Sequence, residues 1–83
     1  MGNFGAQMRK TLAKDLDRKL QAALVKARSA RKLTQVQLAA KLGKPQSYVS
    51  KYETGERKLS VGDFLVICEA LKTKPEELLS NLS

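Results

Sequence analysis

Side chains that can form paired hydrogen bonds share one face of a short segment in the middle of the chain. If this segment is helical, Gln46, Ser47 and Ser50 lie together, and Val49 and Tyr52 form the opposite, apolar face. A glutamine amide presents a donor and an acceptor at once, which suits the edge of adenine, and a serine hydroxyl can take either role. The chemistry that these residues offer is recognition by hydrogen bonding.

The composition argues against catalysis. The 83 residues contain no His and one Cys, which excludes His-based acid–base catalysis, Cys and His zinc clusters and an internal disulfide. We therefore expect no enzyme, no catalytic residue, no metal site and no cofactor. Cys68 falls among apolar positions, and we expect it in the core. A single Cys also fits a reducing cytoplasm, and no apolar run is long enough to cross a membrane.

The net charge indicates a polyanionic partner. Sixteen Lys and Arg against eight Asp and Glu give a formal charge of +8 at pH 7. The positive excess lies in residues 1–58, whereas residues 59–83 carry two cations and four carboxylates. Nucleic acid and an anionic surface are the obvious partners of such a chain, and charge alone does not choose between them.

Apolar residues recur at three- and four-residue spacing, which predicts an all-α fold. Residues 9–31 could hold one long helix or two shorter ones, and the pattern is strongest over about 18–31. Thr34 and Gln37 have the spacing of a capping box, so a second helix should cover about 35–42. We expect the buried face of this second helix to consist of Val36, Leu38, Ala39 and Leu42.

Three more helices are predicted after it. Pro45 stands at the start of a third helix, which should end at Gly55. Ser60 with Asp63 opens a fourth helix, and residues 75–77 begin a fifth with acidic side chains that suit the helix dipole. The residues of the third and fourth helices that we expect to reach the core are Val49, Tyr52, Phe64, Leu65, Ile67, Cys68 and Leu71.

The middle of the chain resembles the helix-turn-helix of the phage repressor and Cro family, also called the Xre type. The residues that carry the resemblance are Leu33, Thr34, Gln35, Leu38, Ala39, Leu42, Gly43, Gln46, Ser47, Val49, Ser50, Tyr52, Glu53 and Gly55. It covers about residues 20–79. The resemblance implies a five-helix lambda-repressor-like domain over 18–83, with the motif at about 35–54 and a basic N-terminal extension over 1–17.

Three residues depart from the pattern of that family. Lys32 stands where a helix-ending Gly is common, and we expect it to adopt a left-handed backbone at some cost. Pro45 replaces a Ser or Thr and so forfeits a side-chain cap. Leu59 stands where Pro is common. These departures concern local stability, because none of them removes a group that would contact DNA.

In a motif of this kind the second helix crosses the phosphate backbone and the third lies in the major groove. The resemblance therefore implies a recognition helix over 46–53. Gln46 and Ser47 would read base edges, while Lys51 could reach either guanine or a phosphate. Tyr48 could contact a thymine methyl group, a sugar or a phosphate, or could simply pack on its own helix. The full set of implied DNA contacts is Gln35, Lys44, Gln46, Ser47, Tyr48, Ser50, Lys51, Arg57 and Lys58.

Within that set, Gln35 would meet a phosphate at the start of the second helix, and Lys44, Arg57 and Lys58 would neutralise phosphates without reading sequence. The resemblance also implies an internal ion pair between Arg28 and Glu53, which would be structural.

Two leucine clusters lie outside the motif. Leu79 and Leu82 are our candidates for a dimer interface. Leu12, Leu16 and Leu20 could pack on their own domain or on a partner, and we favour their own domain. Beside them Arg9, Lys10 and Lys14 could belong to a flexible arm that contacts DNA, to a helical extension or to a disordered tail.

Together these features predict a transcriptional regulator that binds double-stranded DNA in a sequence-specific manner, as a homodimer on a near-palindromic operator. The small members of the family are phage switches, controller proteins and antitoxins, so we expect a cytoplasmic, nucleoid-associated protein encoded by a bacterium or a phage. RNA polymerase is a further partner if the protein activates transcription. The alternative is a protein-interaction module that binds a toxin or a transcription factor, because a fold does not fix a function.

Overall fold

Five α-helices form the protein in the computed structural model, which describes residues 2–80 and 82, with side chains from residue 11 onward. Over these residues there is no strand, so the predicted five-helix, all-α fold is confirmed. The helices are α1 (Gly2–Ala30), α2 (Gln35–Leu42), α3 (Gln46–Thr54), α4 (Val61–Ala70) and α5 (Pro75–Ser80).

The first helix is one continuous element of 29 residues, which is the first of the two alternatives. It passes residue 17 without a break, so the backbone before that residue is a helical extension. The side chains of Arg9 and Lys10 lie outside those that the structure describes. Leu12 is 63% exposed and Leu16 is 42% exposed, so our prediction that they pack on their own domain is wrong. The core begins further along α1, where Leu20 packs against it.

Local hydrogen bonds start α2 and α4 as the sequence predicts. The Thr34 hydroxyl accepts from the Gln37 backbone N–H at 3.0 Å, and the Gln37 amide oxygen accepts from the Thr34 N–H at 2.8 Å. Ser60 likewise accepts from the Asp63 N–H at 3.0 Å. In contrast, Pro45 caps α3 without a side-chain hydrogen bond, as expected. The predicted caps at Thr34 and Ser60 are therefore confirmed.

The core is built from one face of each helix. Its buried residues are Leu24, Leu38, Ala39, Val49, Tyr52, Phe64, Ile67, Cys68, Leu71 and Leu78. The prediction that Cys68 belongs to it is confirmed, and burial raises the pKa of its thiol. Two other predictions are wrong: Val36 is 57% exposed and Leu65 is 46% exposed. Each lies about 110° around its helix from the centre of the buried face, at 3.6 residues per turn.

Lys32 ends α1 in a left-handed conformation, with φ 57°, as the sequence led us to expect. The Leu33 N–H donates a hydrogen bond to the Arg28 carbonyl at 3.2 Å, which closes the turn. Glycine adopts the left-handed backbone of such a turn at a lower cost in free energy. Replacing Lys32 by Gly should therefore raise the free energy of unfolding by about 1 kcal/mol. Urea denaturation measures this change. The matched control is Lys41→Gly inside α2, which should lower stability by about 1 kcal/mol, and equal losses in both variants would contradict the prediction.

Candidate nucleic-acid interface

The helices α2 and α3 pack against each other across the connection Gly43–Pro45. Gly43 has φ 66°, and its N–H donates to the Ala39 and Ala40 carbonyls, so α2 stops sharply and the chain can turn. Leu38 of α2 and Val49 of α3 are both fully buried. Both belong to the one buried core, and the packing of α2 on α3 fixes the angle at which α3 presents its opposite face to solvent.

The nine residues singled out as DNA contacts do not have equal exposure. Those that are exposed to solvent are Lys44, Gln46, Ser47, Lys51, Arg57 and Lys58. Gln35, Tyr48 and Ser50 are half-buried. The exposed set thus combines hydrogen-bonding groups at the N-terminus of α3 with cations on α3 itself, in the turn before it and in the loop after it.

A chain of hydrogen bonds joins the first residue of α3 to the interior. The Gln46 Nε2 group donates to Gln35 Oε1 at 3.4 Å, and Gln35 Nε2 donates to Glu53 Oε1 at 2.9 Å. Both ends of the Gln35 amide therefore have partners within the protein. The sequence predicted only a phosphate contact for Gln35. No pattern in the sequence indicated its hydrogen bonds to Glu53 and Gln46.

The chain of hydrogen bonds ends at an ion pair between α1 and α3. Arg28 Nε lies 2.8 Å from Glu53 Oε2, and Arg28 Nη2 donates to Glu53 Oε1 at 3.1 Å. The Arg28 side chain is 16% exposed and that of Glu53 is 5% exposed. Arg28 Nη1 also donates to the Leu33 carbonyl at 2.8 Å. The hydrogen bonds that Arg28 donates to Glu53 raise the pKa of Arg28 above its usual value, so the guanidinium stays charged.

Two cations lie against the ring of Tyr48, one from the turn before α3 and one from the loop after it. Lys44 Nζ lies 5.5 Å and Arg57 Cζ lies 5.0 Å from the centroid of this ring, within the range of cation–π attraction. The ring itself meets Tyr52 edge-on, with centroids 5.7 Å apart. Partial burial, assisted by Asp63, raises the pKa of Tyr48, so its hydroxyl remains a donor. Tyr48 therefore packs on its own helix and also holds Lys44 and Arg57 near the exposed face of α3.

Tyr52 contributes a buried hydroxyl that has no hydrogen-bond partner among the described residues. The side chain is 1% exposed. A buried polar group without a partner costs free energy, so Tyr52→Phe should raise the free energy of unfolding by about 1 kcal/mol. Thermal and urea unfolding both measure this. The control is Tyr48→Phe, for which we expect little change because Tyr48 is only half-buried. A Tyr52→Phe protein that is less stable than the parent would contradict the prediction.

The dimer candidates lie at the end of the chain, away from the motif in sequence. Leu79 is 49% exposed. Leu82 is half-buried, and its carbonyl accepts a hydrogen bond from Lys19 Nζ at 3.5 Å. Exposed apolar residues that the sequence did not single out lie on α4, where Val61 is 77% and Val66 is 55% exposed.

The Cys, Asp and Glu side chains of the described residues form no group of three or more that could hold a metal ion. None of the described helices has the length and apolar character needed to cross a membrane.

Comparison with known proteins links this geometry to a family. The profile of the helix-turn-helix family HTH_3 matches residues 24–78. The structure is similar to that of an XRE-family like protein from Pseudomonas syringae pv. tomato str. DC3000, with a TM-score of 0.85 and 45% sequence identity over 90% of this chain and 92% of that one. It is also similar to the clp gene regulator ClgR from C. glutamicum, with a TM-score of 0.75 and 27% identity over 81% of this chain and 86% of that one. No curated protein sequence matches the chain.

Proposed function

Because this chain belongs to the Xre-type helix-turn-helix family of DNA-binding transcriptional regulators, we propose that it reads a specific operator, as a homodimer, with α3 in the major groove. Bacterial DNA lies in the cytoplasm, so the same proposal implies that the protein acts there.

One observation carries this proposal: Gln46 is exposed at the N-terminus of α3 and is held there by Gln35. A side chain that already has a partner loses less rotamer freedom when it meets a base, so its discrimination between bases improves. Gln46 can then offer its remaining donor and acceptor to adenine, and Ser47 lies beside it. We assign both residues to direct readout of sequence, with Ser50 and Lys51 one turn further along α3.

The cations around α3 supply affinity that does not depend on sequence. Lys44, Arg57 and Lys58 are exposed, and the first two are positioned by Tyr48. Each phosphate that such a cation neutralises releases counterions from DNA, which makes binding weaker as salt increases. We therefore assign these three cations to the DNA backbone on either side of the recognition helix.

Replacing Arg57 by Ala should weaken binding to every duplex by a similar factor and reduce the slope of log K against log salt by about one unit. Fluorescence anisotropy of the full chain with a labelled duplex, titrated over a range of salt, measures both quantities. The matched control is Lys74→Ala, an exposed cation on the connection before α5, which should leave the slope unchanged. A slope that is insensitive to Arg57 would remove this residue from the DNA contacts.

Two copies are needed because one short helix reads only a few base pairs. A dimer places its two recognition helices about 34 Å apart, one turn of DNA, and so doubles the base contacts on one side of the duplex. We propose that exposed Leu79, together with Leu82, contributes to the contact between the two copies. The expected operator is therefore an inverted repeat.

A further inference from the structure

The first half of α1 extends beyond the core of the domain. The helix begins at Gly2, whereas Leu20 is the first of its described side chains that packs against the core, about five turns later. A helix of this length is only marginally stable in water when nothing packs on it. Leu12 is 63% exposed and Leu16 is 42% exposed, so this part of α1 carries an uncovered apolar pair.

A groove lies further along the same side of α1. Its volume is about 750 Å³, and it separates the second half of α1 from α5 and the connection before α5. Ala23 and Ala27 of α1 line it, with Leu78 of α5 on the other side. At 3.6 residues per turn, Leu12 and Leu16 each lie within about 20° of Ala23 around the helix axis. The exposed leucines and the groove therefore face the same way.

The charges on this side of α1 are complementary. Lys19 and Lys26 line the groove and are exposed. Asp15 is an exposed carboxylate beside Leu16, and it lies about 40° from Lys19 around the axis. Among the described residues no cation forms an ion pair with Asp15. One surface thus carries an apolar pair with a carboxylate and, next to it, an apolar groove with two cations. Such a surface can bind a second copy of itself.

We propose that the first half of α1 docks into the groove of a second copy, with the two α1 helices antiparallel and related by a two-fold axis between residues 17 and 18. In this arrangement Leu12 packs against the partner's Ala23, and Asp15 lies beside the partner's Lys19. The two-fold axis repeats both contacts, as in any isologous dimer. Each leucine then fills a space left by small side chains on the facing helix, which is the way that paired helices pack.

The pairing of α1 is compatible with the DNA-binding face. Arg28, which pairs with Glu53 of α3, lies about 160° around α1 from Leu12, so the second copy approaches from the side opposite α3. Lys19 Nζ donates to the Leu82 carbonyl at 3.5 Å, so the pairing surface adjoins the proposed contact of Leu79 and Leu82. The pairing names a further part of the homodimer interface, and it rests on the proposed function in that respect alone.

Sedimentation equilibrium of the full chain without DNA tests the pairing. Leu12→Glu/Leu16→Glu should raise the dissociation constant of the dimer by about tenfold or more, because apolar contacts are lost and carboxylates take their place. Both leucines are exposed, so the variant should fold like the parent, which circular dichroism checks. The matched control is Lys14→Glu, which changes the net charge by the same amount about 160° away on α1 and should leave the dimer unchanged. Equal dissociation constants in the parent and the double variant would overturn the pairing.

Disulfide trapping tests the register of the two helices. In Leu12→Cys/Ala23→Cys the two thiols of one chain are about 16 Å apart on one helix, which is too far for an internal disulfide. Oxidised glutathione should therefore yield a covalent dimer, and either single variant should yield little, because like positions in the two copies are about 16 Å apart as well. Cys68 is buried and does not compete. Absence of the covalent dimer, or equal yields from the single variants, would overturn the arrangement.

The pairing of α1 and the proposed function can fail separately. If Leu79→Glu separates the two copies and Leu12→Glu/Leu16→Glu does not, the pairing is wrong and the homodimer stands. A parent protein that stays monomeric at every concentration would overturn the pairing and the homodimer together. Anisotropy with duplex DNA would still decide whether that monomer binds DNA.

Discussion

Replacing Glu53 by Ala should lower the free energy of unfolding by about 3 kcal/mol, because it leaves a buried charge without its partner. The Glu53 carboxylate is 5% exposed and accepts hydrogen bonds from Arg28 Nε, Arg28 Nη2 and Gln35 Nε2. After the substitution, Arg28 keeps only its contact with the Leu33 carbonyl, although its side chain is only 16% exposed. Urea denaturation followed by circular dichroism measures the loss.

Glu56→Ala is the matched control, because Glu56 is an exposed carboxylate in the loop just after α3. An exposed residue away from any network should change stability by less than about 0.5 kcal/mol. Replacing Arg28 and Glu53 together by methionine should cost much less than Glu53→Ala, since no charge is then left buried. If Glu53→Ala and Glu56→Ala unfold at the same urea concentration, the ion pair does not hold α1 and α3 together.

Replacing Gln46 by Ala should weaken binding to the best operator by about 1–3 kcal/mol and relax the preference at one base position. The reason is that Gln46 offers a paired donor and acceptor to a base, and its hydrogen bond to Gln35 restricts the rotamers of its side chain. Binding to unrelated duplex DNA should change little. Anisotropy titrations with the operator, with single-base variants of it and with unrelated DNA measure these effects.

Arg57→Ala is the contrasting variant for this experiment, since it should weaken binding to the operator and to unrelated DNA alike. If Gln46→Ala reduces binding to both kinds of DNA by the same factor, Gln46 is a backbone contact. The assignment of direct readout to the start of α3 would then be wrong.

The features of the fold that the sequence predicted correctly depend on interactions between residues that are close together in the chain. The Thr34 and Ser60 caps and the left-handed Lys32 each depend on residues within a few positions, and each was found. Periodicity was less reliable, because it gives the spacing of apolar residues but not the neighbours that cover them. Leu12 and Leu16 continue the leucine spacing of α1 and are nevertheless exposed, since the core begins at Leu20.

The site could be predicted only in part, for a related reason. The resemblance to a family predicted individual DNA-contacting residues, including Gln35 and Gln46. It did not predict that Gln35 would join Gln46 to Glu53, because that link spans 18 residues between two helices and depends on their packing.

Selection from a pool of randomised duplex DNA tests the central claim most directly. The purified full chain is mixed with the pool at physiological salt, and the retained duplexes are sequenced. The account predicts enrichment of an inverted repeat whose half-sites lie about 34 Å apart, one turn of DNA. Retention without enrichment would contradict sequence-specific readout. It would mean that the charge of +8 supports only general binding to DNA phosphates. Failure to retain any duplex would contradict DNA binding itself and favour a role in binding another protein.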